Sequence, residues 1–127
     1  MIRYTLTTLV WQQRFTYLKS ILFDDQALHQ SGAKFQIIKF SPKTNIGPHY
    51  HKHAYEIFFI ESGSGTLIFN AKRYPAQAGD IFLCEPNDVH EIINDSFEKE
   101  LVILIFKTNA KKTDIVWLSN NTARISS

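Results

Sequence analysis

Three histidines at alternate positions, His49, His51 and His53, precede Glu56 and Gly63 in the stretch 47–63, GPHYHKHAYEIFFIESG. A second stretch, 79–90, GDIFLCEPNDVH, runs from a glycine through an apolar segment and a proline turn to another histidine, His90. Alternate residues of a strand share a face, so His49 and His51 can point at one ion, and Glu56 and His90 would complete the set. Three neutral imidazoles and one carboxylate are borderline donors suited to Fe, Mn, Ni, Co, Cu or Zn, which makes one divalent transition metal per chain the expected cofactor. Four such ligands leave an octahedral ion with two open positions for waters, a bidentate substrate, or substrate plus dioxygen. The carboxylate also lowers the net charge of a divalent centre, and a chelating enediolate or 1,2-dioxygenated ligand would then bind favourably.

Such a site needs strands, and the chain is rich in them. Short β-prone segments occupy 35–40, 55–60, 66–70, 80–84, 90–93 and 101–107, with turn residues at 41–42, 45–48, 62–65, 75–79, 86–88 and 94–96. That spacing predicts an all-β antiparallel barrel or sandwich. Residues 11–23 fit two periodicities. Trp11, Phe15, Leu18 and Leu22 form a helical face, whereas Trp11, Phe15, Tyr17, Ile21 and Phe23 alternate with Gln12, Arg14, Thr16 and Ser20; the aromatic and threonine content favours a strand. The segments 56–60 and 101–106 are apolar on both faces and so require cover on both. If Glu56 points inward, Phe58 and Ile60 line the interior, while Ile57 and Phe59 face outward against the N-terminal segment or a second subunit. A two-fold homodimer is therefore expected, its interface drawing on these outward residues and on some of Trp11, Phe15 and Tyr17.

With 127 residues the chain makes one domain, and 14 basic against 12 acidic side chains leave a net charge of +2. The basic residues are scattered. Lys107, Lys111 and Lys112 read as a solvated edge or tail, and nucleic acid is not an expected partner. No apolar run approaches the ~18 residues of a membrane span. Residues 1–10, with Thr5, Thr7 and Thr8, lack the continuous apolar core of a secretory signal, so a cytoplasmic location is expected. Cys84 has no second cysteine to pair with and reads as a buried, inert thiol. Without secretion, the glycosylation-pattern matches at Asn94-Asp95-Ser96 and Asn120-Asn121-Thr122 carry no meaning. Gly63-Ser64-Gly65 between two strands is a hairpin turn rather than a phosphate loop.

Taken together, His49-x-His51-x4-Glu56-x6-Gly63 and the ordered set Gly79, Pro86, His90 and Asn94 resemble the two motifs of the cupin superfamily. The resemblance covers about 33–107, with 1–32 left as N-terminal strands or a dimer arm. One departure is Asp88, where the family usually has glycine, in a turn one residue shorter. The family implies a double-stranded β-helix, or jelly roll, holding a metal on His49, His51, Glu56 and His90. A His51-x-His53 pair would leave only two residues before Glu56, shorter than the family's interval, so His53 falls on the rim. His53 and Tyr55 are the nearest candidates for catalytic proton transfer. The implied function is action on a small oxygenated metabolite, as a dioxygenase or as a Lewis-acid isomerase or lyase. The alternative is a non-enzymatic module that binds or senses a small ligand. Regulators of that kind normally carry a helix-turn-helix, and 107–127 is too short and too poorly amphipathic to supply one.

Overall fold

The computed structural model describes residues 1–118. A 3-10 turn at Leu6–Thr8 leads into β1 (Gln12–Gln13) and β2 (Leu18–Phe23), and a one-turn helix α1 (Asp25–Leu28) precedes β3 (Lys34–Phe40). Then come β4 (Asn45–His51), β5 (Tyr55–Ser62), β6 (Ser64–Phe69), β7 (Lys72–Gln77), β8 (Ile81–Cys84), β9 (His90–Ile93), β10 (Leu101–Thr108) and β11 (Ile115–Trp117). The strands form two antiparallel sheets. One has six strands in the order β1-β2-β3-β10-β5-β8, and the other has five in the order β11-β4-β9-β6-β7. This is the all-β sandwich expected, with apolar inner faces packed on each other around Phe40, Phe58, Ile60, Leu67, Leu101 and Ile103.

The inward set of β5 is Glu56, Phe58 and Ile60, and that of β10 is Leu101, Ile103, Ile105 and Lys107. Register places Glu56 opposite Lys107 on one side and Cys84 on the other. Glu56 therefore enters the interior at one end of the barrel, two residues from apolar Phe58.

Four expectations change. The segment 45–48, read as a turn, belongs to β4, whose pairing with β9 slips between Ile46 and His49. That irregularity accommodates Pro48 inside a strand and sets the parity of the following histidines. The segment 75–79 is only half a turn, because Pro75 lies in β7, an edge strand that does not need its missing N–H. Residues 11–23 are strand in two pieces, and the register shift between Ile21 and Phe23 sends Phe23 to the outer face beside Phe35. Lys107, read as solvated, is 4% exposed because β10 alternates it onto the inner face with Ile105. The match at Asn120-Asn121-Thr122, and the part of the 107–127 reading beyond residue 118, lie outside the described residues.

Candidate metal centre

Four of the buried polar side chains come from three strands at one barrel end. β4 delivers His49 and His51, β5 delivers Glu56, and β9 delivers His90, all between 1% and 5% exposed. His49 and His90 are direct cross-strand partners. One ring nitrogen from each of His49, His51 and His90 lies within 4.8 Å of the others. Glu56 Oε1 approaches His51 Nε2 at 3.0 Å and His90 Nε2 at 3.5 Å.

The outer nitrogens of these rings are held by acceptors. His49 Nδ1 lies 2.8 Å from the Gly47 carbonyl oxygen, and His90 Nδ1 lies 2.9 Å from that of Asp88. His51 Nδ1 faces Asp114 Oδ2 at 3.5 Å. Carbonyl and carboxylate oxygens only accept, so each Nδ1 carries the hydrogen and each Nε2 keeps its lone pair. Burial, with His90 as a close neighbour, pushes His49 down to about 3 and keeps it neutral. Burial alone would raise the Glu56 carboxyl, but the Lys107 ammonium at 3.8 Å opposes it, and Glu56 lies well below the usual carboxylate range. An ionised oxygen thus faces two imidazole lone pairs. Glu56 Oε1 and His90 Nε2 are both buried with no hydrogen-bond partner, which a bound cation would supply. The donor set therefore fits a borderline divalent metal.

Two contributors to this centre escaped the sequence reading. Asp114 holds His51 and also accepts from the backbone N–H groups of His53 and Ala54. Trp117 packs its ring 4.6 Å from that of His49. Both flank or belong to β11, a short strand that pairs Ile115 with His51 and Trp117 with His49. The one signal for it is the β-prone run Ile115-Val116-Trp117 in a stretch otherwise read as tail. Cys84 Sγ lies 3.4 Å from His90 Nδ1, and burial pushes its thiol up, so it stays protonated.

The candidate acid-base residues sit elsewhere. β4 ends at His51, so His53 lies in the exposed loop before β5, and Tyr55, one residue from inward Glu56, alternates outward at 42% exposure. Neither lines the cavity beside the donor set. That cavity has a volume of about 30 Å³, and its wall joins the three histidines and Glu56 to Tyr17, Lys19 and Gln36 across an apolar floor.

The family model of the cupin domain matches residues 36–106. The chain belongs to the cupin family. This cupin is 32% identical over 73 residues to an oxalate-binding protein of Thermotoga maritima. That match covers 58% of the chain and 60% of the relative, so it spans under two-thirds of the relative's length. Among solved structures, a predicted oxalate decarboxylase from Thermotoga maritima superposes with a TM-score of 0.77 at 22% identity, over 85% of this chain and 99% of that one. The polyketide cyclase RemF from Streptomyces resistomycificus gives 0.78 at 16% identity, over 95% and 89%. At these identities the likeness is one of fold.

Proposed function

We propose that His49, His51, Glu56 and His90 hold one divalent transition metal, and that the cupin binds a small oxygenated ligand in the adjoining cavity. The observation that carries the reading is the convergence of three imidazole nitrogens and an ionised carboxylate, all on buried side chains, with every Nδ1 already facing an acceptor. Acceptors on the outer nitrogens orient the rings and raise their basicity, the arrangement usual around metal-bound histidine. When bound, the ion would supply a Lewis-acidic centre with open positions for a chelating ligand. At about 30 Å³ the cavity is far smaller than the usual ligand pocket, which favours a molecule of very few heavy atoms. The oxalate-binding relative supports the same ligand class. Elemental analysis of protein purified without added metal, repeated on His51→Ala, tests the centre: about one ion per chain is expected in the first and a large loss in the second. Equal metal content in both would refute it. Oxygen uptake in step with loss of a supplied oxyacid marks an oxygenase, anaerobic turnover an isomerase or lyase, and binding without turnover a sensing module.

Assembly as a homodimer belongs to the same reading. On the outer face of the six-stranded sheet, register aligns Phe106, Ile57 and Leu83 in one row, at 36%, 41% and 58% exposure, with Ile81 beside them at 67%. The row continues to the edge strand β8, where unpaired backbone groups add to the apolar side chains. A second copy presenting the same row can cover it by two-fold symmetry. Light scattering should give twice the 14.7 kDa chain mass, and a strict monomer at tens of micromolar would exclude the dimer.

A further inference from the structure

Across the cavity from the donor set, β2 turns Lys19 inward, where it is 2% exposed. Its cross-strand partner Ile38 and the other nearby wall residues Ile46, Ile92 and Ile105 are apolar. Among the described residues, no carboxylate lies within ion-pairing distance of Lys19 Nζ; the carboxylate of Glu56 pairs with Lys107 instead. Gln36, on the neighbouring strand and 2% exposed, also lines the cavity, and its Oε1 is buried with no partner. Tyr17 completes a polar wall at 5% exposure.

A buried ammonium with no counter-charge is costly. Here burial, followed by the like charges of Lys34 and Lys107, pushes Lys19 down to about 7. Removing the charge would relieve that cost, since methionine fills the same volume. A ligand carboxylate in the cavity supplies both the missing counter-charge and a reason for the lysine to stand there. A hydroxyl or acid proton on the same ligand would satisfy Gln36 Oε1.

Building on the proposed metal centre, we infer that Lys19, with Gln36 beside it, forms an anion subsite that restricts the cavity to small oxyacids, one end of the ligand facing the four metal donors and a carboxylate facing Lys19. Lys19 is then the residue that selects charge, while the histidines and Glu56 set chelation.

The test uses Mn(II)-loaded protein and two probes of similar shape, oxalate and oxamide, which differ by replacement of both carboxylates with amides. Calorimetry should show wild type preferring oxalate, and Lys19→Met lowering that preference at least tenfold while metal content stays near one ion per chain. An unchanged oxalate-to-oxamide ratio in Lys19→Met would overturn the inference, as would equal binding of the two probes by wild type. Circular dichroism verifies the fold of Lys19→Met, and Lys19→Gln repeats the measurement where methionine perturbs it. Failure of wild type to take up manganese, zinc or iron would count against the metal centre itself, and the metal measurement separates that outcome from loss of charge selection.

Discussion

The two ends of this barrel handle buried polar groups in opposite ways. At one end Asn94, fully buried, donates through its Nδ2 to the carbonyls of Phe40, Ser41 and Lys99, and its Oδ1 accepts from the Ser96 backbone N–H. Nearby Gly63 sits at a φ of +80°, and a Cβ there would collide with the Glu100 carbonyl oxygen. Both polar groups of the Asn94 side chain are thus satisfied within the chain. At the other end Glu56 Oε1 and His90 Nε2 are just as deeply buried and lack partners. Because β5 runs from Glu56 towards Gly63 and β9 runs from His90 to the residue before Asn94, the motif residues divide between the ends by strand direction. A satisfied buried polar group locks a fold; an unsatisfied one marks where a ligand enters.

The largest expected effect lies at the satisfied end. Asn94→Ala strands three buried or partly buried carbonyls, and urea denaturation should show a loss of ~3–4 kcal/mol. The folded fraction should still bind metal with unchanged stoichiometry. A loss under ~1 kcal/mol would erase the distinction between the ends.

His51→Ala inverts that pattern. Metal affinity should fall by ~100-fold or more in a competitive chelator titration, while the metal-free protein loses no more than ~1 kcal/mol, because the 127-residue core does not depend on the ion. Global unfolding would make the centre structural instead. Asp114→Asn should follow at ~10–100-fold in affinity, as expected of a group that orients a ligand without touching the ion.

Lys19 sharpens the comparison through pH. Its folded-state value of about 7 lies below its ordinary 10.5, so below pH 7 both states carry the proton and the burial penalty is fully present. Between about pH 7 and 10.5 the unfolded chain binds more protons, and stability rises with pH. Metal-free Lys19→Met should lack this rise and exceed wild type at pH 6 by ~1–3 kcal/mol in chemical denaturation. A parallel pH dependence in the two proteins would show the ammonium to be solvated.

The smallest effect belongs to His53. His53→Ala should change stability by under ~0.5 kcal/mol and leave metal content intact, since the side chain is exposed and outside the cavity. Loss of metal on this substitution would mean that His53 displaces His49.

Much of this was legible in the residues themselves. Alternation in β5 gives Glu56, Phe58 and Ile60 one face, and the spacing of His49 and His51 puts both rings on another, because a strand repeats every two residues. Turn residues locate most of the strand ends. The all-β class follows from local patterns of this kind, whereas His90 joined His49, His51 and Glu56 through the resemblance to the two cupin motifs. What the pattern could not carry is anything fixed by a partner strand. Pro48 looked like a turn until β9 and β11 flanked β4, and Lys107 looked like a solvated lysine until β3 and β5 flanked β10. Asp114 reaches His51 from 63 positions along the chain, through a strand three residues long. Residue type and spacing determined which groups are candidates for the chemistry, through the two-residue repeat. Tertiary structure alone decided which charges lose their water, because desolvation depends on what lies opposite a side chain rather than on what lies beside it in sequence.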